Sequence, residues 1–364
     1  MKRIVLVAST PTSVPELFKQ VTLFFDASVV VLSEIRPEHL AESSLIIVDF
    51  AQSSGDQLSE LKRLLKSYPD LMRVGLVSLF RRQEIVQAKA LGLSELWDRA
   101  SDTEEVVTTI RAMVGNYSMP QLPADLPEVT KIAANSMCSS LDAMAMAAIS
   151  GKRLPLQSAA KSIQALTAVL QQEKIDTWLA AVQSHHSHTF CHSMMVAGFA
   201  VAFGAALELD ANQRAILGVG ALVHDLGKVR IPLSILDKPG KLTSEEFAEI
   251  KKHPVYSMEI LKGRPEVPPA ILELAVSHHE YLDGSGYPRQ LRGDEISQLV
   301  RMLTICDIYA ALTEKRSYKE SYGPRQAYAI LMDMNDKLDK DLLKKFRPVI
   351  FDADVGKARR GRAA

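Results

Sequence analysis

The segment Leu222-Val-His224-Asp225-Leu226-Gly227-Lys228 is the most specific stretch of this 364-residue chain. It lies at the end of a region with helical spacing of apolar residues, so His224 and Lys228 are predicted one turn apart on one helix face. Asp225 lies beside them, and Gly227 has no side chain to crowd the site. Imidazole nitrogens and carboxylate oxygens are ligands for iron, manganese or zinc. The segment therefore indicates a metal site in a helical domain.

Further groups of the same kind lie on both sides of this segment. Eight of the nine histidines fall between positions 185 and 279. One histidine on an apolar face is usually a packed core residue rather than a ligand. Burying many titratable side chains without a metal would cost roughly several kcal/mol in unpaired polar groups. This argument favours metal binding for the set His188, His192, His224, Asp225, His253, His278, His279 and Asp307.

The first 115 residues follow a different pattern. Apolar, β-branched runs alternate there with helical patterning, which is typical of a parallel sheet covered on both faces. We expect a small doubly wound α/β domain over residues 1–115. Its first four predicted strands lie in the runs 2–8, 29–32, 45–50 and 73–80.

A proline-rich segment separates this domain from a helical one. Residues 116–127 contain three prolines and predict a linker, since proline blocks helix continuation. We expect a connecting helix over 128–153, an all-α domain over 154–350, and a flexible basic tail over 351–364. The predicted helices cover 128–150, 156–172, 174–208, 211–227 and 244–262.

Composition excludes several classes of protein. Forty-three basic and 43 acidic residues give no net charge, so we expect no nucleic-acid polymer as a partner. Three widely spaced cysteines fit a reducing cytoplasm. The apolar stretch from Ser193 to Leu207 is shorter than the roughly 20 residues that a bilayer requires, so we interpret it as a buried core helix without membrane insertion.

The helical domain resembles the HD-GYP phosphodiesterases, a branch of the HD metal-dependent hydrolase superfamily. The resemblance covers about residues 192 to 319. It rests on HDLGK at 224–228, KPGKL at 238–242, His253-Pro254, HHEYLDGSGYP at 278–288, Asp307, and RSYK at 316–319.

The resemblance implies a metal centre that opens cyclic di-GMP. It implies two divalent ions, iron or manganese, with Asp225 bridging them. In three-metal members a glutamate stands where this chain has His188, and a neutral imidazole cannot replace a bridging carboxylate. The implied ligands are His192, His224, Asp225, His253, His278, His279 and Asp307.

The resemblance also implies catalytic and substrate-binding roles. Asp225 and Lys228 are the expected catalytic residues, and Lys228 would place its ammonium near the scissile phosphate; a plain salt bridge to a carboxylate is the alternative. Arg316 and Lys319 would grip the nucleotide, unless they are solvated surface charges. The expected substrate contacts are Lys228, Gly286, Tyr287, Pro288, Arg316 and Lys319.

Two further positions depart from the family pattern. Ser257 stands where the family has a glycine, which we expect to be tolerated. Ala310 replaces the second aspartate of the DxxDA run, so a contact supporting the Asp307 segment is expected to weaken. Cys191 and Cys306 adjoin predicted ligands, but we interpret both as core thiols.

The amino-terminal domain resembles a response-regulator receiver. Asp49 lies at the phospho-acceptor position, and Ser78 follows the fourth strand. The acidic pair that holds magnesium is missing, because the first strand ends in Ala-Ser-Thr, and the LWDRAS segment contains no lysine. We therefore expect a degenerate receiver that is not phosphorylated and mediates homodimerisation or binding of a regulatory protein.

Three functions follow from these observations. The first is hydrolysis of cyclic di-GMP to linear pGpG, with GMP as a further product. The second is a cyclic di-GMP sensor of low or no activity, which His188 and Ala310 favour. The third is hydrolysis of another cyclic dinucleotide by an HD enzyme.

Overall fold

A computed structural model of the chain describes residues 3–114, 122–183, 188–236, 238, 240–314 and 321–360. The side chains of residues 3, 188, 233, 234 and 352–360 lie outside that description. The chain divides into two compact units, Met1–Ser118 and Met119–Ala364. The division falls within the segment predicted to be a linker.

The amino-terminal unit is built on a five-stranded parallel sheet in the order β2-β1-β3-β4-β5. This order is that of flavodoxin-like doubly wound folds. The predicted α/β architecture is thus confirmed. The strands are β1 Arg3–Ala8, β2 Ala27–Val31, β3 Ser43–Asp49, β4 Met72–Val77 and β5 Glu95–Asp98. The helices are α1 Glu16–Phe24, α2 Pro37–Ala41, α3 Gly55–Leu65, α4 Arg82–Leu91 and α5 Thr103–Val114.

The sheet is buried on both faces, as its unbroken apolar strands require. Val5 and Val7 of β1 lie in one apolar cluster with Leu61 of α3, whereas Ile4 and Leu6 point to the other face and are equally buried. Because parallel strands end at the same edge, the residues that follow β3, β4 and β5 are brought together there.

The second unit is helical, as predicted. Its helices begin with α6 Glu128–Ser150, α7 Leu156–Gln172, α8 Ile175–Val182, α9 His188–Ala206 and α10 Ala211–Val223. A 3₁₀ helix, Leu226–Arg230, follows α10. The remaining helices are α11 Leu233–Leu236, α12 Ser244–Ile250, α13 His253–Leu261, α14 Pro269–Ser277, α15 Gln298–Thr313, α16 Pro324–Asp333 and α17 Lys340–Arg360.

Helix α9 lies at the centre of this unit and packs against α7, α8, α10, α15 and α17. The indole Nε1 of Trp178 donates to the carbonyl oxygen of Met194, and Gly198 gives the ring room, since a Cβ there would lie 2.5 Å from it. Two helices, Glu128–Ser150 and Thr189–Ala206, are long and apolar enough to cross a membrane by composition, but 56% and 78% of their apolar windows are buried in the fold. Such burial is typical of core helices.

Three predicted helices are interrupted, and two of the breaks carry the histidine motifs. The prediction that one helix extends over 211–227 was wrong at its end, because α10 ends at Val223. Beyond it, the amide of Lys228 donates to the carbonyl of Asp225 in a 3₁₀ turn. The predicted helix 244–262 is split, because Pro254 has no amide hydrogen and the Ile250 carbonyl accepts from the His253 ring instead. The predicted helix 174–208 is replaced by α8 and α9.

Candidate metal centre

Three histidines lie at helix ends and are oriented in the same way. His224 follows α10, His253 begins α13 and His278 follows α14. The Nδ1 atoms of His224, His253 and His278 lie 2.7, 2.7 and 3.0 Å from the carbonyl oxygen three residues earlier. A ring that donates through Nδ1 carries its free lone pair on Nε2. The three Nε2 lone pairs are thus available to a cation.

These Nε2 atoms lie where no proton donor serves them among the described residues. Nε2 of His253 is 3.1 Å from Nε2 of His278, so two lone pairs face each other, and Nε2 of His224 has no hydrogen-bond partner there. Burial lowers the pKa of His253 to about 3 and holds that of His278 well below its usual value, so both rings are neutral. Converging neutral imidazoles without donors fit a bound metal ion.

Asp225 lies between two of these rings. Its Oδ1 is 3.2 Å from Nε2 of His253, and its Oδ2 is 3.3 Å from Nε2 of His224. Burial opposes ionisation of Asp225, but the charge of Lys228 and the neighbouring histidines hold the pKa of the carboxyl well below its usual range. An ionised carboxylate with one oxygen toward each ring is suited to bridge two cations.

The other carboxylate, Asp307 of α15, reaches His192 of α9 and His279. Its Oδ1 is 2.9 Å from Nε2 of His192, and its Oδ2 is 3.6 Å from Nδ1 of His279. Burial opposes ionisation, yet the hydrogen bond with His192 keeps the pKa of Asp307 below its usual value. Burial alone would lower the pKa of His192, but Asp307 and other carboxylates raise it to about 9.

All seven predicted ligands are therefore brought together. Ligand atoms within 4.8 Å of one another form three overlapping groups, which are His253, His278 and His279; His192, His224 and Asp307; and His224, Asp225 and His278. The donors are all imidazole nitrogens and carboxylate oxygens, which is the donor set of iron, manganese and zinc sites. The residues present thus fit divalent-metal binding.

Lys228 lies at the open side of this cluster. Its Nζ is 2.6 Å from Oδ2 of Asp225, and 21% of its side chain is exposed. The salt bridge that was the alternative interpretation of Lys228 is present in this structure. The same position leaves the ammonium next to any ion or phosphate bound at Asp225.

Tyr287 forms a wall of the same open side. Its ring stacks on His279 with 4.7 Å between centroids, and its amide donates to the His279 carbonyl. Gly286 is required here, because a Cβ would lie 2.4 Å from the amide nitrogen of Tyr281. Pro288 follows in the same loop and is half-buried.

Lys251 is a rim residue that the sequence analysis did not single out. Its Nζ lies 5.0 Å from the ring centroid of Tyr287 and 5.1 Å from that of Phe247, which is 51% exposed. The signal available in the sequence was its place two residues before His253. A cation between two aromatic faces suits contact with a purine or phosphate.

Comparison with known proteins agrees with this geometry. Residues 176–342 match the family model described as HD domain. These residues form an HD domain. A cyclic di-GMP phosphodiesterase of Pseudomonas aeruginosa is 29% identical over 285 residues, which cover 75% of this chain and 69% of that protein. A 3'3'-cGAMP-specific phosphodiesterase of Vibrio cholerae is 38% identical over 153 residues, but this match spans only 42% of this chain and 29% of that protein.

The fold also has a counterpart among solved structures. A HDG"Y"P protein from Bdellovibrio bacteriovorus superposes with a TM-score of 0.50 at 15% identity, covering 74% of this chain and 81% of that one. This likeness concerns the fold. The predicted membership of the HD-GYP branch is supported by the cyclic di-GMP phosphodiesterases among the relatives.

Ser257, one of the departures from the family pattern, has a clear structural place. Its hydroxyl accepts from the Gly227 amide at 2.8 Å and donates to the His224 carbonyl. Gly227 approaches this helix so closely that a Cβ would lie 2.0 Å from the His253 carbonyl oxygen. The serine therefore holds the end of α10 against α13, in agreement with the prediction that it is tolerated.

The remaining positions singled out in the sequence are either apolar or lie outside the described residues. Ala310 is fully buried and contributes no polar group to the site. Arg316, Lys319 and the side chain of His188 lie outside the described residues. Their expected roles stay predictions.

The amino-terminal unit holds a second buried polar cluster, at the edge where the strands end. The Arg99 guanidinium, just after β5, lies 2.9 Å from Oδ1 of Asp49 and 2.7 Å from Oε2 of Glu84. Burial opposes ionisation of Glu84, but the Ser78 amide and Arg99 lower its pKa from 4.5. The sequence analysis noted that no lysine follows the fifth strand. It did not predict that Arg99, in the same segment, pairs with Asp49 and Glu84.

Proposed function

We propose that this chain is a metal-dependent phosphodiesterase that hydrolyses cyclic di-GMP to linear pGpG, with GMP as a further product. The observation that carries the proposal is the convergence of seven histidine and aspartate ligands, with Nε2 lone pairs of His253 and His278 only 3.1 Å apart. Relatives named as cyclic di-GMP phosphodiesterases support the choice of substrate.

The proposed centre holds two divalent ions, iron or manganese. Asp225 would be the ligand shared by both ions, since its two oxygens face different histidines. A third ion is not proposed, since His188 stands where three-metal members carry a glutamate. The proposed ligands are His192, His224, Asp225, His253, His278, His279 and Asp307.

The chemistry divides between the ions and the protein. When bound, such ions lower the pKa of a water molecule and neutralise charge on the phosphodiester. Lys228 places its ammonium beside Asp225, where it stabilises the charge that develops on the phosphate oxygens or protonates the leaving oxygen. Asp225 and Lys228 are the proposed catalytic residues.

The substrate contacts lie around the open side. Tyr287, with Gly286 and Pro288 shaping its loop, offers an aromatic face for guanine next to His279. Lys251 extends this wall outward. Arg316 and Lys319 complete the proposed contacts to the nucleotide.

A second candidate substrate is 3'3'-cGAMP. Three Vibrio cholerae relatives named as 3'3'-cGAMP-specific phosphodiesterases are 36% to 38% identical to this chain. They match over 150 to 153 residues, about a third of their own length, and the ligand contacts proposed above do not separate guanine from adenine.

For the amino-terminal unit we propose a degenerate receiver that regulates the HD domain through homodimerisation or a protein partner. Asp49 is paired with Arg99, and the end of β1 lacks the acidic pair that would hold magnesium. A cytoplasmic location is proposed with it, because the three cysteines are widely spaced in the sequence and do not form a disulfide framework.

A product assay tests the main proposal. Purified protein loaded with Mn²⁺ or Fe²⁺ is incubated with cyclic di-GMP and, separately, with 3'3'-cGAMP, and products are separated by chromatography. Release of pGpG supports the proposal, and faster cleavage of 3'3'-cGAMP selects the second candidate. Tight binding of either dinucleotide without product at any metal loading establishes the sensor function instead.

A further inference from the structure

The orientation of His192 differs from that of the other buried histidines of the metal centre. Nδ1 of His224, His253 and His278 each donates to a backbone carbonyl three residues earlier. Nδ1 of His192 has no hydrogen-bond partner among the described residues. Its ring is nevertheless buried, with only 4% of the residue exposed.

A carboxylate takes the place of that backbone carbonyl. Oε2 of Glu314 lies 3.7 Å from Nδ1 of His192, on the side of the ring opposite Asp307. Glu314 is the residue that ends α15, and its amide donates to the Ala310 carbonyl. The glutamate is 1% exposed, so its carboxyl group lies inside the protein.

The buried Nδ1 of His192 requires an acceptor. Withdrawing a ring N–H group from water is costly unless it donates a hydrogen bond. When Nε2 binds a metal, Nδ1 carries the one proton of the ring and is such a group. A carboxylate at that position fixes the tautomer and increases the basicity of the ligand nitrogen.

We propose that Glu314 is a positioning residue of the metal centre, which accepts from Nδ1–H of His192 and directs Nε2 toward the ion shared with Asp307. The separation of 3.7 Å is longer than a hydrogen bond, and a small shift of the ring or of the carboxylate would close it. Glu314 itself does not bind the metal. The inference rests on the metal centre of the proposed function and adds a residue outside the predicted set.

Manganese affinity, measured without substrate, tests the proposal. The full-length chain is titrated with Mn²⁺ in competition with a chelating dye, for the wild type, Glu314→Gln and Glu314→Asp. Loss of a carboxylate behind a metal-binding histidine costs about 10- to 100-fold in affinity, which we expect for Glu314→Gln. Glu314→Asp keeps the charge and is expected to recover part of that loss.

A matched control and a double mutant separate positioning from general destabilisation. Glu266→Gln removes another largely buried carboxylate of the same unit, one that accepts from the Leu154 amide, and is expected to leave Mn²⁺ affinity unchanged. In a His192→Ala background, Glu314→Gln should have no further effect on affinity, because the ring through which it acts is gone. Nitrogen NMR of His192 in the Zn²⁺-loaded wild type and in Zn²⁺-loaded Glu314→Gln shows whether Nδ1 carries the ring proton, and a wild-type ring without a proton on Nδ1 would overturn the proposal.

The outcomes are distinct. An equal loss of affinity in the wild-type and His192→Ala backgrounds would overturn the proposal, and so would a Glu314→Gln variant that binds Mn²⁺ as tightly as the wild type. Because no dinucleotide is present, these results do not depend on which substrate the enzyme cleaves. A wild-type chain that binds no Mn²⁺ would refute the metal centre of the proposed function as well.

Discussion

Two buried clusters of charged and polar side chains, one in each unit, differ in the source of their positive charge. In the amino-terminal unit, Asp49 and Glu84 meet the guanidinium of Arg99 at 2.9 and 2.7 Å. In the HD domain, Asp225 meets Lys228 on one side, but the remaining space is bounded by histidine lone pairs. The first cluster is complete within the chain, and the second needs a cation from outside.

The difference shows how a closed polar cluster is distinguished from a binding site. Both clusters contain buried carboxylates, so burial alone does not identify the functional one. Unshared acceptors identify it: Nε2 of His224 has no partner among the described residues, whereas Arg99 supplies donors to its cluster. We infer metal binding in the HD domain and a structural role for the Arg99 cluster.

The largest expected effect is loss of the carboxylate between the histidines. Asp225→Asn removes a ligand charge and the proposed bridge, and metal stabilisation of a phosphodiester transition state is worth several kcal/mol, so hydrolysis should fall by roughly 10³-fold or more. Product formation from cyclic di-GMP and metal content are measured together. The control is Asp294→Asn, a change of a fully exposed carboxylate that should preserve both.

If Asp225→Asn kept both its metal and its activity, Asp225 would not be needed to bind a cation. The proposed difference between the two clusters would then be wrong. Loss of activity with full retention of metal would instead limit Asp225 to a role in substrate chemistry.

Removing the internal cation of the amino-terminal unit is the next largest change. Arg99→Met leaves Asp49 and Glu84 without their partner and should lower the free energy of unfolding of that unit by about 2–4 kcal/mol. The two tryptophans, Trp97 and Trp178, lie one in each unit, so fluorotryptophan labelling and ¹⁹F NMR in urea can follow the units separately. Only the Trp97 transition should move.

Arg81→Met is the matched control. Arg81 also pairs with Glu84, at 3.4 Å, but 73% of its side chain is exposed, so the loss should stay below about 1 kcal/mol. Equal effects of the two substitutions would show that the Arg99 cluster is not an internally completed charge group.

The pH dependence of stability gives a further test of the Arg99 cluster. The pKa of Glu84 is lowered from 4.5 in the folded chain, so its ionised form contributes stability at pH values above 4.5, and that contribution is lost as pH falls through the folded-state value. The Trp97 transition should therefore move to lower urea between pH 6 and pH 3. In Arg99→Met the part of the pKa shift that is due to Arg99 is removed, so the difference in unfolding free energy between variant and wild type should narrow at low pH. A constant difference would contradict the role of this pair.

A smaller effect is expected at the rim of the metal centre. Lys251→Gln removes a cation that lies over Tyr287, and because an exposed cation–π contact is worth about 0.5–1 kcal/mol, KM should rise about two- to fivefold with kcat unchanged. Lys252→Gln is the control, since Lys252 pairs with Glu249 instead. A change in kcat alone would place Lys251 in the chemistry and not in substrate binding.

The smallest expected signal is at Asp49. Its Oδ1 is occupied by Arg99, so incubation with acetyl phosphate and Mg²⁺ should leave the intact mass unchanged. A stable adduct on Asp49 would show that the cluster opens to phosphorylation.

The sequence was sufficient for the two folds and for the set of metal-binding candidates. Alternation of apolar runs predicted the parallel sheet, because a buried parallel strand has a local pattern. The motifs of the resembled family predicted the histidines and aspartates that the structure brings together. The local pattern did not predict where helices end. Helix α10 ends just before His224, because the amide of Lys228 donates to the carbonyl of Asp225 in a 3₁₀ turn.

The sequence alone did not predict which distant residues pair with each other. Arg99 meets Asp49 across 50 positions, and Glu314 reaches His192 from another helix, so neither contact has a spacing to identify it. Such contacts depend on how elements pack, and they are the ones that decide whether a buried charge is already compensated.

Counting metal tests the central claim most directly. Protein purified without oxygen is analysed for iron, manganese and zinc by mass spectrometry, beside His224→Ala/Asp225→Ala. The account predicts about two ions per wild-type chain, in keeping with two-metal hydrolysis, and no more than traces in the variant. A wild-type chain that is free of metal and still hydrolyses cyclic di-GMP in excess chelator would contradict it.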